Sequence, residues 1–313
     1  VSAEAGLSDE RAPPWWDSDL AYDFRHSPVA VAAALVTIAI VATAIGADAI
    51  APFDSNDPAS ANVVDARLAP GSAGLLGDRY LLGTDPQGRD MLSAIIYGLR
   101  TSLLVGVMSV LLAAAFGIAL GLLSGYHGGW LDAVVMRIAD VQLSFPAILI
   151  ALLVDGIART VMDRSTHEVL AIPVLVVAIS ASYWVQYART VRGLVLVQRG
   201  KEYVLAAKVT GVRPWRIVVT HIQPNVMGPV LVIATINLAL AILTEATLSF
   251  LGVGVPPTTP SLGSLVRIGN EYLFSGDWWI SIFPGAMLVV LSLSVNLLGD
   301  WLRDALNPKL SDG

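Results

Sequence analysis

The chain has 313 residues, 55% of them hydrophobic and only 14% charged, with a net charge of −6 and a mean hydropathy of +0.68. A soluble domain carries about 25% charged residues; here the charges gather between long apolar runs, which describes a polytopic membrane protein. The absence of cysteine excludes disulfides, thiolate catalysis and cysteine metal sites, and no basic patch with interleaved aromatics points to nucleic acid.

Residues 1–27 are polar and mostly acidic. They read as a cytoplasmic tail, in which Trp15 and Trp16 either rest at the membrane interface or share the disorder of the tail. Residues 28–50 form the first apolar run, long enough to span a bilayer. Ala47-Asp48-Ala49 looks like a leader-cleavage site, but the acidic tail and the length of the run favour an uncleaved first helix. Residues 51–98 are a polar, extracytoplasmic segment rich in Pro, Gly and Asp. It ends in Leu82-Gly83-Thr84-Asp85-Pro86-Gln87-Gly88-Arg89-Asp90-Met91-Leu92-Ser93, where Thr84 or Asp85 can cap a helix starting near Pro86.

Residues 101–123 read as a second span, in which Gly106, Gly117 and Gly121 suit close helix packing in lipid. Residues 124–142 read as a polar connection, and a third span starts near Pro146 and runs to Val161. Asp155 falls about 18 Å along that span at helical rise. Either it faces the bundle or water, or Gly156 ends the helix early and leaves the acid at the outer surface, the favoured reading. Residues 159–168 make a short loop and residues 169–188 a fourth span. A basic segment follows at 189–216. Residues 226–248 make a fifth span, carrying Asn237 and Glu245 eight residues apart on roughly one side. Residues 249–279 read as an outer loop and residues 280–298 as the sixth span.

Placing the basic segment in the cytoplasm puts both termini there as well. The cytoplasmic side then holds 12 Lys and Arg and the outer side 7, as the positive-inside rule requires.

The most informative stretch lies inside the basic segment. It reads Glu202-Tyr203-Val204-Leu205-Ala206-Ala207-Lys208-Val209-Thr210-Gly211, then Val212-Arg213-Pro214-Trp215-Arg216, and reaches His221-Ile222-Gln223-Pro224-Asn225. Residues 202–210 are mostly good helix formers. Gly211 suits a left-handed helix C-terminus, Pro214 can open a second short helix, and Pro224 punctuates before the next apolar run. Ala206 and Ala207 offer a smooth face for close approach by another surface.

This stretch resembles the EAA loop of ABC-importer permeases. Ala206, Ala207, Gly211 and Pro224 fall in the family's register, while Leu205, His221 and Gln223 stand where the family has Glu, Ile and Leu. The Leu82–Ser93 run resembles a signature of the peptide/nickel branch of these permeases. Leu243-Thr244-Glu245-Ala246-Thr247-Leu248-Ser249-Phe250-Leu251-Gly252 and the run from Asn296 to Pro308 look like the second, C-type permease subunit of dipeptide and oligopeptide importers. The similarity covers residues 80–308.

The resemblance implies an all-α protein with six transmembrane helices in the type I importer permease (MetI-like) fold. It divides the chain into a cytoplasmic tail (1–27), a first helix (28–50), an extracytoplasmic segment (51–98), a five-helix core (99–305) with a cytoplasmic coupling loop (189–225), and a cytoplasmic C-terminal tail (306–313). It implies a prokaryotic plasma (inner) membrane location and three kinds of partner: a second homologous permease, one or two ABC ATPases, and an extracytoplasmic substrate-binding protein. The cargo would be peptides, or alternatively nickel, glutathione or haem. Glu202, Tyr203, Ala206, Ala207, Gly211, Pro214, Trp215 and Pro224 would form the ATPase-coupling element, and the missing glutamate at Leu205 removes any salt bridge the family makes there. Asn237 and Glu245 are the candidates for the translocation pathway, where an acid can attract a peptide amine; the other reading of Glu245 is a hydrogen bond tying its helix to the following loop.

The chain has no G-x-x-x-x-G-K-[ST] loop, so ATP and Mg would be bound by partner ATPases and no cofactor by this chain. It has no H-E-x-x-H, and its four histidines show no zinc spacing. With no serine nucleophile elbow either, the chain reads as a non-catalytic subunit rather than a membrane enzyme. A stand-alone secondary transporter would need coupling acids deep in the spans, and few are there.

Overall fold

The computed structural model describes residues 19–55, 62–75, 77–256 and 258–306. The expected tail up to residue 18, with Trp15 and Trp16, and the tail from residue 307 lie outside the described residues. Twelve α-helices follow one another among the described residues, with no strand and only two isolated bridges, Ala73 with Arg79 and Thr84 with Asp90.

A short helix, α1 (Asp19–His26), leads into α2 (Pro28–Ile45). Ser27 caps α2 by accepting from the Ala30 N–H at 3.3 Å, and Pro28 opens it. The first apolar run is shorter than expected, because the chain turns at Gly46 into the four-residue α3 (Ala47–Ile50). There Asp48 pairs with Arg100 at 3.0 Å.

The signature before α4 (Met91–His127) is a clasp. Thr84 Oγ1 donates to the Asp65 carbonyl at 2.5 Å and accepts from Leu68 N–H at 2.8 Å, while its own carbonyl accepts from the Trp279 indole at 3.2 Å. Asp85 accepts from the Gln87 and Arg89 N–H groups and from Arg89 Nε, at 2.8, 2.9 and 2.7 Å. The helix starts at Met91, not near Pro86. Asp85 is already committed to this turn, so Asp90 makes the cap instead, accepting from the Ser93 N–H at 2.8 Å and hydroxyl at 2.6 Å. Nearby, burial and then the Asp65 carboxylate raise the pKa of the Tyr80 hydroxyl.

At 37 residues α4 is about 55 Å long at helical rise. The stretch expected to be a polar connection after it is helical: α5 (Gly129–Leu143) meets α6 (Ala147–Val161) at a 98° bend, so the third span is a bent pair. Its polar residues are not loop residues because α7 (Arg164–Gln198) takes them. Asp132 pairs with Arg192 through two bonds of 2.5 and 2.6 Å, Asp140 pairs with Arg189, and Gln142 accepts from the Trp184 indole at 2.8 Å. Asp163 caps α7; the Ser165 and Thr166 hydroxyls and the Thr166 N–H hold its carboxyl down at about 2.

After α7 come α8 (Glu202–Val209) and α9 (Pro214–Ile217), then one π turn (Val218–Ile222) that runs without a break into α10 (Gln223–Phe250). The expected outer loop contains another helix, α11 (Leu262–Tyr272), capped reciprocally by Ser261 and Ser264. It is wedged in closely: Gly263 lies on the backbone of Ala246, and Gly269 on Ile280 of α12 (Trp279–Ala305). Five helices are long and apolar enough to cross a membrane, and the bent pair α5–α6 brings the number to six among the described residues.

The glycines expected to pack closely do so. A Cβ on Gly106 would lie 2.7 Å from Ile242 of α10. Gly117, Gly121 and Gly125 form a stripe one helical turn apart that faces α7, where added Cβ atoms would lie 2.6 Å from Tyr187 Cβ, 2.7 Å from the Ala188 carbonyl and 2.8 Å from Val195 Cβ. Gly121→Val should therefore cost about 1–3 kcal/mol by overpacking, read as a lower Tm of the detergent-purified protein. Gly193→Ala, with open space around its Cβ position, should leave Tm unchanged or slightly higher.

Candidate functional site

The segment between α7 and α10 sits at one end of the bundle, about 50 Å along α7 from its start. Its local geometry follows the sequence closely. Gly211 has φ +77°, and its N–H donates to the Lys208 carbonyl at 3.1 Å while the Val212 N–H donates to the Ala207 carbonyl at 3.0 Å. That pair of bonds is a Schellman turn, and it fixes the direction in which α9 leaves α8. Pro214 opens α9, where its missing N–H costs nothing.

Pro224 does not mark a break. The helix passes through it, because the Gln223 N–H reaches back five residues to the Val218 carbonyl in the π turn. Pro224 has no N–H to donate one turn back, and the wider π turn just before it absorbs the missing bond.

The two alanines face different sides. Ala207 is buried with Val204 in a cluster that includes Val195, Ile217 and Ile222, so it seats α8 on its own chain. Ala206 faces outward with Glu202, Tyr203, Leu205 and Lys208. The single smooth face expected of Ala206 and Ala207 is therefore split, since a 100° step separates neighbours on a helix. In the structure Leu205 is exposed beside Val209, which is 88% exposed, and Trp215 on α9 is 63% exposed. Two apolar residues four apart in a polar segment were the signal for this face.

The segment is fastened to the bundle. Arg199 Nη1 donates to the Gly125 carbonyl at the end of α4 at 3.0 Å, Tyr203 donates to Gln198 at 2.7 Å, and Lys208 lies over the Tyr126 ring at 5.4 Å. Next to it, the Asp132–Arg192 and Asp140–Arg189 pairs hold α5 against α7. The result is a rigid, basic platform with an apolar outward face.

Asn237 and Glu245 lie elsewhere, inside the bundle, and neither is exposed on this chain. Glu245 accepts from the Ser102 hydroxyl of α4 and the Ser249 hydroxyl of α10, each at 2.7 Å, and Ser102 Oγ also accepts from the Leu262 N–H of α11 at 3.3 Å. Glu245 thus ties α10 to α4 and, through Ser102, to the start of α11. Among the described residues neither amide atom of Asn237 makes a hydrogen bond of ordinary geometry, and the Tyr187 hydroxyl of α7 beside it is likewise without one. Asp155 is 2% exposed rather than at a surface. Gly156 does not end α6, and Arg159 one turn on donates to the acid at 2.5 Å, which makes burial tolerable. Among the described residues no group of three or more His, Cys, Asp or Glu is placed to hold a metal ion.

Comparison with known proteins agrees with this architecture. Residues 117–312 match the family described as binding-protein-dependent transport system inner membrane component. The chain is 40% identical to a dipeptide transport system permease protein, DppC, of Haemophilus influenzae over 277 residues, 88% of this chain and 89% of that one. It is 36% identical to a di/tripeptide transport system permease protein DppC of Pseudomonas aeruginosa (92% and 91% covered) and 36% identical to a glutathione transport system permease protein, GsiD, of Pectobacterium atrosepticum (92% and 89% covered). Its fold resembles an inward-facing structure of the MetNI methionine ABC transporter, with a TM-score of 0.55 at 20% identity, over 69% of this chain and 98% of that one. The chain belongs to the binding-protein-dependent transport inner membrane component family.

The two alanines give a direct check on the geometry. Ala207→Leu should overpack the seat of α8 and cost about 1–3 kcal/mol, whereas Ala206→Leu on the open face should stay within about 0.5 kcal/mol of wild type. Thermal melts of the two purified variants would separate them.

Proposed function

We propose that this family member is the C-type permease subunit of an ATP-driven importer that moves small peptides across the inner membrane, and that the platform around α8 is where it meets its ATPase. The observation that carries the reading is the outward face of Leu205, Val209 and Trp215 on a segment bonded to the bundle. Exposed apolar residues on a rigid element outside a span favour a protein partner. No loop of the Walker type exists in the chain, so nucleotide and Mg belong to that partner.

On this reading the platform and both termini are cytoplasmic, which places 12 Lys and Arg inside and 7 outside. The other partners are a second, homologous permease and an extracytoplasmic binding protein that delivers the cargo. One or two ATPase subunits would close together on ATP and press on α8. Because Val204 and Ala207 of α8 are buried in the same apolar cluster as Val195 of α7, and Lys208 of α8 lies over the Tyr126 ring of α4, the push would pass into α7 and α4 together. Those two helices are in contact along the glycine stripe, so the push would act on both. The far ends of the pair, about 50 Å away, would then shift the opposite mouth of the pathway. Glu245 and Asn237 take part as elements of this moving frame.

Peptide cargo is favoured because two of the relatives compared carry that description. Glutathione is the second reading, favoured by the relative described as its permease; both are small molecules with a free carboxylate.

Gly211→Asp tests the coupling assignment. A side chain at φ +77° strains the Schellman turn and re-aims α9. The complex should still co-purify with its ATPases, while uptake and substrate-stimulated ATP hydrolysis fall about tenfold. Uptake and stimulation equal to wild type would overturn the assignment.

A further inference from the structure

The face that α5 turns away from its own bundle carries charge at a depth where lipid tails do not accept it. Contacts fix the level. Gln142, at the end of α5, donates to the Ala181 carbonyl and accepts from the Trp184 indole at 2.8 Å, and Ser182 donates to the Ala147 carbonyl just past the bend at 2.9 Å. Ser180 in turn donates to the Ser109 carbonyl at 3.0 Å. Ala181 and Ser109 lie about halfway along the two longest helices, α7 and α4, so the bend sits near the middle of the bundle. From there α5 runs back to the platform end, where a Cβ on Gly128 would lie 3.5 Å from Arg199 Nη1. The helix therefore occupies the platform half of the bilayer.

Along α5, Asp140 lies about 3 Å and Arg137 about 8 Å of helical rise from Gln142. Both fall within the hydrocarbon half-thickness of about 15 Å. Asp140 pairs with Arg189 of α7, yet the two side chains stay 53% and 45% exposed. Arg137, one turn from Asp140, is exposed too, and it makes no hydrogen bond, ion pair or ring contact among the described residues. Val134, Ile138 and Val141 are exposed on the same side of the helix. Charged groups at such depth face protein or water, because lipid tails offer them no partner. The Asp140–Arg189 pair is already closed within the chain and asks for no further protein group, which favours water. Arg137 is the surplus charge of the face.

We propose that this face of α5 lines an aqueous stretch of the translocation pathway on the platform side of the bend, and that Arg137 is the fixed cation past which the carboxylate of a peptide in transit moves. A guanidinium presents a planar fork of donors that matches a carboxylate, and an ion pair open to water is weak enough to release it. The cargo rests on the import reading; the contact of the face with water does not.

The chain has no cysteine, so a single introduced one reports on its own surroundings. The test uses the complete nucleotide-free transporter in lipid nanodiscs, with Val141→Cys on the α5 face and Ile38→Cys on the exposed apolar side of α2. A cationic and an anionic methanethiosulfonate reagent are added, and modification is read from the mass of this chain. Val141→Cys should react at least about tenfold faster than Ile38→Cys, since the reactive thiolate forms where water reaches. Adding Arg137→Gln to Val141→Cys should lower the ratio of the anionic to the cationic rate about tenfold, and Arg137→Lys should keep it. Arg137 is exposed and unpaired, so both variants should fold. Val141→Cys reacting no faster than Ile38→Cys would place the face against lipid or the second permease and overturn the proposal. A rate ratio untouched by Arg137→Gln would overturn the role of Arg137. In liposomes supplied with the loaded binding protein, Arg137→Gln should also lower the saturating uptake of labelled trialanine about tenfold, with Arg137→Lys retaining most of it; an unchanged rate would refute the carboxylate contact. A wild-type complex that moves no peptide would sink the import reading alone, because the labelling results decide the aqueous face without transport.

Discussion

The contact between α4 and α7 is the constraint on which the rest of this protein depends. Lipid tails are as apolar as leucine, so burying hydrophobic surface does not drive two helices together within a bilayer. Close packing must do so, and Gly117, Gly121 and Gly125 permit it by exposing bare backbone to Tyr187, Ala188 and Val195. Both helices are long, 37 and 35 residues, so the pair acts as a stiff beam. At one end the Asp132–Arg192 and Asp140–Arg189 pairs hold α5 to it, and at the other α6, α11 and the clasp before α4 gather around it.

Polar groups inside the bundle fix the elements that glycine packing leaves free. A charged or polar group in hydrocarbon is costly unless paired, and several of the contacts here join different helices. Glu245 bonds to serines on α4 and α10, and Ser102 also accepts from α11. Asp155 is held by Arg159 one turn along α6 and faces His167 on α7. Thr84 links the segment before α4 to the start of α12 through the Trp279 indole. These contacts lie toward the end away from the platform, so that end is tied by hydrogen bonds while the platform end is held by apolar seating and ion pairs. Asn237, in the middle of α10 and facing the Tyr187 hydroxyl of α7, lies between the two regimes.

Much of the site was legible before the fold was known. The positive φ at Gly211, the opening of α9 by Pro214 and the helix over 202–209 all follow from propensities that act within a few residues. The orientation of each alanine was not legible, because it depends on which side of α8 meets Val195 and Ile217. The helix through Pro224 was misread as a break, since a π turn depends on distant packing to hold its wider ring. Asp132 and Asp140 looked like loop residues because polar groups at a bilayer surface are ambiguous; their arginine partners lie 60 and 49 positions away.

The sequence by itself determined the membrane class, the number of apolar segments, the family and the turn at Gly211, since each rests on composition or on contacts between near neighbours. The tertiary structure alone decided the 98° bend of the third span and the burial of α11. It alone turned Ala207 inward and Leu205 and Val209 outward. Each of these depends on residues far apart in the chain meeting in space, and hydrophobicity along a single strand of sequence carries no record of which helix faces which.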